Sequence, residues 1–444
     1  MRKMWKAAAW VVSLGSVALI GMAASATAQL TDSEVRDLAD EKGFVPLFDG
    51  KTLDGWTKKG GPATYRLEDG CIVGECQPGP TNTFLCTERE FGDFILRLDF
   101  KVEVPGNSGV QFRSHAWPAG DEERVCGYQC EIDPSSKNDT GRIYDEGRRG
   151  FQHGRTWLDD TPNRDPESLS AAQESYKPGD WNTMEIQCMG PSIRTWINGI
   201  PVVDMFDYFD MSGFFGLQVH AGDQGKILWK NIRIREFGTS QWHPFFVETK
   251  DGMQLVASRA VLPECWEFTT KEGEGTFLKA THTADEPRDG LIVSDGAYDD
   301  FAARVTYRMF GGNSALYFRA GEVPTPWLLK GYQNEIAGNG AEAGIWHTAG
   351  DKTPGRGWLG RDDELVNQIL VAPDKGWNTV CTCACGLHIT TFLNGQRIVD
   401  IDDPNGETIG KLGLQLHGSS VVEMWFKDFE VIPITPEMRR YIER

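Results

Sequence analysis

Apolar and polar residues alternate with a two-residue period along most of this chain. Phe94-Ile95-Leu96-Arg97-Leu98-Asp99-Phe100 and Trp229-Lys230-Asn231-Ile232-Arg233-Ile234-Arg235 show it clearly, and residues 424–431 more loosely. Such alternation predicts strands with one buried face. A 3.6-residue period is scarce, with residues 32–41 and 436–443 the best helical stretches. Residues 194–197, Asn198-Gly199 and 200–203 read as a hairpin, because a two-residue type I′ turn needs positive φ at both central positions. Residues 389–393, Asn394-Gly395 and 396–399 read the same way. Many short strands closed by such turns predict an all-β antiparallel sandwich.

The pattern is written twice. Gly127-Tyr128-Gln129-Cys130-Glu131-Ile132-Asp133 returns as Gly331-Tyr332-Gln333-Asn334-Glu335-Ile336-Ala337, an offset of 331 − 127 = 204 residues. Asn107-Ser108 through Phe112-Arg113 returns as Asn313-Ser314 through Phe318-Arg319, and Trp181-Asn182-Thr183 as Trp377-Asn378-Thr379. Gly216-Leu217-Gln218-Val219-His220 returns as Gly413-Leu414-Gln415-Leu416-His417. So long a period means tandem domains, since solenoid repeats run at about 20–50 residues. The expected units are residues 43–237 and 244–433, with an N-terminal segment 29–42, a linker 238–243 and a tail 434–444.

The first 28 residues change the picture of where the protein works. A basic start (Arg2, Lys3, Lys6), an apolar run over 7–22 and the exit Ala26-Thr27-Ala28 read as a secretory signal peptide, leaving a periplasmic or secreted chain from Gln29. That run is shorter than the ~20 residues of a membrane span, so no membrane insertion is expected. The formal charge of −19 becomes −19 − 3 = −22 once the three signal cations are removed. So acidic a chain excludes nucleic acid and anionic lipid as partners and favours a neutral small molecule or sugar. Ten cysteines allow disulfides whose connectivity spacing does not reveal. Cys381, Cys383 and Cys385 share one strand face, so they read as a half-buried strand with one Cys bridged elsewhere, or as a thiolate metal site. Oligomeric state is left open.

Candidate chemistry follows from strand faces. Gln129, Glu131 and Asp133 share one face, as do Gln111, Arg113 and His115 on another strand and Gln218 with His220 on a third. Each polar stripe is backed by an apolar one. A solvated sheet face could look similar, but would favour Lys, Thr and Ser over Arg, Glu, Gln and His. The second copy supplies Tyr317, Arg319, Gln333, Glu335, Gln415 and His417. Tyr144, Arg148, Arg149 and His153 lie in the loop 141–154, either shaping a site or forming a charge run in which Asp145-Glu146 pairs with Arg148-Arg149. Trp117, Trp157 and Trp181 could stack on a sugar, with the core the expected place of Trp181.

These blocks resemble the 3-keto-disaccharide hydrolase domain family. The resemblance rests on the opening Phe44-Val45-Pro46-Leu47-Phe48-Asp49-Gly50-Lys51-Thr52-Leu53-Asp54-Gly55-Trp56, on Phe91-Gly92-Asp93-Phe94, on Gly141-Arg142-Ile143-Tyr144 and on the repeated blocks above. It covers the first copy and, from about Phe301, the second. The second lacks the opening, has Ala337 for Asp133, and reads Gly344-Ile345-Trp346-His347 for Gly-Arg-Ile-Tyr. The resemblance implies two concanavalin-like jelly rolls acting on an oxidised disaccharide or glycoside carrying a ketone at C3. That ketone acidifies the C2 hydrogen, so a base removes it and the C1 substituent leaves by elimination, with later water addition giving net hydrolysis. The expected catalytic set is Glu131, Asp133, Arg113 and His220, with Arg113 the electrophile at the C3 oxygen. Expected substrate contacts are Gln111, His115, Gln129, Tyr144, Gln218, Arg319, Glu335 and His417. A divalent metal on Glu131, Asp133 and His220 is an open alternative. So is ordinary two-carboxylate hydrolysis by Glu131 and Asp133, though the E-x-D-x-x-E spacing is broken by Ser136. A non-catalytic lectin-like or envelope interaction role competes with both.

Overall fold

A computed structural model describes residues 38–119, 122–150, 173–350 and 355–442. The signal peptide, His153 and Trp157 lie outside the described residues. In each copy two antiparallel sheets enclose an apolar core. The first copy's back sheet runs in the order Ile200–Phe206, Ser192–Ile197, Asn182–Met189, Asp93–Val104, Lys226–Gly238, Cys71–Glu75, Thr64–Glu68, with Val45–Pro46 also paired to Lys226–Gly238. Its front sheet runs Trp56–Gly60, Thr83–Thr87, Phe214–Val219, Ser108–Ala119, Glu122–Ile132, Ile143–Glu146. Inward residues of both, among them Phe94, Leu96, Phe112, Tyr128, Ile186 and Trp229, make the core. The chain therefore folds as two tandem jelly-roll β-sandwiches.

The second copy repeats this order well before Phe301. His243–Pro244 pairs with Val422–Pro433 just as Val45–Pro46 pairs with Lys226–Gly238. A hairpin, Phe246–Thr249 with Gly252–Leu255, follows where the first copy has its Asp49-Gly50 opening. The Asn198-Gly199 and Asn394-Gly395 turns both have positive φ (52° and 84°, 50° and 80°), as type I′ requires. The tail forms the expected helix, Pro436–Ile442; of the other helical stretch, 32–41, residues 32–37 lie outside the described residues and 38–41 form a turn and loop.

The two back sheets cover part of each other's outer faces. Ile95, Met189, Phe206 and Tyr208 of the first copy pack against Cys381, Cys383, Cys385, Phe392 and Ile432 of the second, with Ile434, Met438 and Ile442 of the tail completing the cluster. This corrects the reading of the three cysteines. All ten thiols are free, and the shared face of Cys381, Cys383 and Cys385 is apolar filling between the domains. The segment 238–243 is equally engaged, with Trp242 packed on that cluster and Ser240 Oγ donating to Asp93 Oδ2 at 2.7 Å.

Candidate active site

Three neighbouring front-sheet strands put amides around one carboxyl group. Register pairs Gln111 with Gln129, Gly109 with Glu131 and Gln129 with Tyr144, so their outward side chains converge. Ser114 Oγ donates to Gln111 Oε1 (2.5 Å), Gln111 Nε2 to Gln129 Oε1 (2.8 Å), and Gln129 Nε2 to Glu131 Oε1 (2.6 Å) and Gln218 Oε1 (3.2 Å). Asn107 Nδ2 donates to the other Glu131 oxygen at 3.2 Å. Among the described residues, the buried Gln218 Nε2 has no partner. Glu131 is only 4% exposed. Burial pushes its pKa up to about 8 against the amide hydrogen bonds, with Glu146 and Asp133 adding repulsion.

Glu146 is the residue that sequence reasoning missed. Strand Ile143–Glu146 alternates in burial, so Tyr144 and Glu146 share a face while Asp145 points the other way. Asp145 binds Arg148 at 2.8 Å and also Arg149, whereas Glu146 accepts from Asn82 Nδ2 at 3.2 Å. The Glu146 carboxyl is raised by burial, and it perturbs both Glu131 and Tyr144. The alternation that grouped Gln129 with Glu131 would have found it, had the Arg148-Arg149 ion-pair reading not absorbed both acids.

Arg113 does not join the cluster. It sits in a bulge, at φ 45°, where the register shifts between Phe112 and His115. The bulge turns its side chain away from the face of Gln111 and puts Ser114 there. The guanidinium is buried and saturated by Gly92 O (2.8 Å), Gly190 O (2.7 Å) and Asp93 Oδ1 (3.0 Å). Arg319 repeats the bulge at φ 46°, with its Nε and Nη2 on Asp299 O at 3.0 and 2.7 Å. Gly127 is needed opposite this bulge, because a Cβ there would lie 2.5 Å from Ser114 Oγ.

Past the bulge, His115 pairs with Asp210 (3.1 Å), which raises its pKa, and faces a separate cleft with Lys59 and Glu123. Asp133 organises its own loop, accepting from Ser135 N (2.9 Å) and Asp139 N (3.2 Å). His220 is exposed, with Nδ1 2.6 Å from Ala221 O, and it acts electrostatically on Glu146. Glu131, Asp133 and His220 therefore form no ligand cluster, and no group of three His, Cys, Asp or Glu suited to a metal occurs among the described residues. Trp181 is only half-buried, under Lys230 Nζ at 3.7 Å, and Trp117 is exposed.

The second copy keeps the cluster in altered form. Asn313 Nδ2 lies 3.4 Å from Glu335 Oε2, Gln333 Nε2 donates to Gln415 Oε1 (2.9 Å), and burial raises the Glu335 pKa to about 7. Trp346 faces Gln333 as Tyr144 faces Gln129, which corrects the alignment of Gly344 with Gly141 by one residue. Thr348 stands where Glu146 stands, and Tyr317 where Gln111 stands. Gln415 Nε2, the counterpart of the unpartnered Gln218 amide, is held by Asp289 Oδ2 at 2.6 Å. His417 is exposed beside this site.

A family model described as a 3-keto-alpha-glucoside-1,2-lyase-like domain matches residues 43–235 and again 240–432. A 3-keto-disaccharide hydrolase of Bacteroides thetaiotaomicron is 32% identical over 93 residues, 19% of this chain and 32% of that protein. The chain thus matches about a third of that relative's length. A Parabacteroides distasonis protein provisionally named a glycosyl hydrolase aligns with a TM-score of 0.31 at 21% identity, over 47% of this chain and 98% of that one. The carbohydrate-binding module CBM66 of Bacillus subtilis aligns with a TM-score of 0.28 at 17% identity, over 41% and 96%.

Proposed function

Because this chain belongs to the 3-keto-alpha-glucoside-1,2-lyase-like domain family, in two tandem copies, we propose that its first copy cleaves glycosides oxidised at C3 and that Glu131 is the base. The observation that carries this reading is a buried carboxyl with a pKa of about 8, held by Gln129 and Asn107 beside a second raised carboxyl, Glu146. A base is most effective when its pKa lies near the working pH.

Glu131 takes the C2 proton, and the electron pair moves toward the C3 oxygen as an enolate. Collapse of the enolate forms the C1–C2 double bond and breaks the C1–O bond. Glu146 donates its proton to the departing oxygen. Water adding across the double bond then gives net hydrolysis. With Arg113 occupied elsewhere, neutral donors meet the enolate oxygen: Gln218 Nε2, which has no partner among the described residues, and the Tyr144 hydroxyl. Export through the N-terminal 28 residues belongs to the same proposal, since it would place the enzyme where extracellular glycosides arrive.

Glu131 and Glu146 also keep ordinary two-carboxylate hydrolysis open, with Glu146 in the place first given to Asp133. Incubating the purified protein with a 3-keto-glucoside and with its unoxidised parent separates the two. The elimination route predicts turnover of the ketone alone, and equal turnover of the parent would replace it by the hydrolase reading.

A further inference from the structure

The second sandwich opens a cleft of about 730 Å³ on the face that corresponds to the Glu131 cluster. This lies within the ~300–1,000 Å³ range of ordinary ligand sites. Trp346 and Trp358 meet in it at 5.2 Å and 80°, so two ring faces form a corner, and Trp327 lines it too. Arg361 lies 4.6 Å over the Trp358 ring and fixes it, although Trp358 remains 39% exposed. Gln333, Glu335 and Asp289 supply polar groups among these rings. We propose that this cleft is a second carbohydrate site, one that holds a neutral pyranose ring and does not cleave it.

Each difference from the first copy supports holding over cleaving. A pyranose presents an apolar C–H face and a polar hydroxyl rim, matching indole walls with amide and carboxylate partners. Trp346 in place of Tyr144 enlarges the stacking surface, and Tyr317 in place of Gln111 adds another ring. Thr348 in place of Glu146 removes the second carboxyl group, and with it the proton donor for a leaving oxygen. Asp289 does not replace that donor, since its two oxygens are taken by Gln415 Nε2 (2.6 Å) and Gly418 N (2.7 Å). The acids that remain disfavour a uronate or a sulfated sugar by like-charge repulsion. Binding in this cleft does not depend on whether the first copy acts on oxidised sugars.

The test titrates the full chain carrying Glu131→Gln with cellobiose, trehalose and sucrose, and with glucuronate as a charged control, by calorimetry and tryptophan fluorescence. Saturable binding of at least one neutral disaccharide is expected, with none of glucuronate. Adding Trp346→Ala should weaken binding about tenfold or more with an unchanged unfolding midpoint, while Trp346→Phe retains most of the affinity. If Trp346→Ala fails to fold, the exposed Trp358→Ala serves in its place. No saturable binding of any of the three, binding of glucuronate as tight as theirs, or affinity untouched by both Trp variants would overturn the proposal. Failure of the first-copy reading shows up separately, as no turnover of 3-keto-glucoside by the wild-type chain.

Discussion

Glu131 is held in an environment that favours its neutral form, and that has opposite consequences for activity and stability. Its folded pKa of about 8 lies above the ordinary 4.5. The folded state therefore keeps a proton that the unfolded chain releases between those two values, so this group's contribution to stability falls as pH rises through that window and then levels off. Glu131→Gln removes the penalty. We expect the variant to lose at least about a hundredfold in turnover and yet to be more stable than wild type at pH 8 and above, on the order of a few kcal/mol. Turnover assays paired with thermal melts at pH 5 and pH 9 read both effects, and near-normal turnover would remove Glu131 from the chemistry. As a base Glu131 must be ionised while Glu146 still holds its proton, so kcat/KM of wild type should trace a bell across pH with one of its two limbs at about 8. Glu146 calls for a different measurement. A proton donor matters most when the leaving oxygen is basic, so Glu146→Gln should slow alkyl 3-keto-glucosides far more than nitrophenyl ones. Equal slowing of both would make Glu146 a positioning residue only.

At the scale of elements, what the sequence disclosed depended on how local its cause was. The Asn198-Gly199 hairpin was legible because two adjacent residues set its turn. The stripe of Gln111, Gln129, Glu131 and Gln218 was legible because alternation needs only an unbroken strand. The bulge at Arg113 was not, because a one-residue register shift against Glu122–Ile132 reverses the facing of everything beyond it. Arg113 and His115 were accordingly placed on a face they do not share with Gln111. Gly109 exposes the same dependence on partners. A Cβ there would lie 2.5 Å from Cγ and Cδ of Gln129, flexible atoms that can move aside, but only by leaving Glu131 and Gln111. The second copy has Ala315 at this position, and there Gln333 donates to Gln415. Gly109→Ala should therefore cost only about 1 kcal/mol of stability while lowering turnover roughly tenfold or more. Denaturant unfolding and initial rates measured side by side check it. A large loss of stability with unchanged turnover per folded molecule would mean that the strand, and not the amide network, is what Gly109 serves.

The two sandwiches form one molecule through a surface that neither could leave bare. Ile95, Met189 and Phe206 lie on one back sheet, with Tyr208 in the loop that follows it, and Cys381, Cys383, Phe392 and Ile432 lie on the other; apart, the halves would expose both groups to water. Polar contacts set the docking. Tyr441 O accepts from Gln187 Nε2 (2.6 Å) and Arg194 Nη1 (3.1 Å), so the tail that follows the second copy closes over the first. Arg149 Nη1 reaches Gly395 O at 3.0 Å, tying the loop beside the Glu131 strand to a hairpin turn of the other domain. The alternation in the sequence announced half-buried strands but could not say that a second copy covers their outer face, since no local signal encodes a partner. Residues 29–238 and 239–444 expressed alone should accordingly aggregate or melt well below the intact chain, and co-expressed they should copurify as a one-to-one complex. In that complex, Glu131→Gln in the first piece should abolish turnover of a 3-keto-glucoside, while Glu335→Gln in the second leaves it. Size-exclusion chromatography and melting curves of each piece decide the structural half of the prediction. Two soluble, monomeric pieces melting where the intact chain melts would mean that the shared apolar surface contributes nothing to stability.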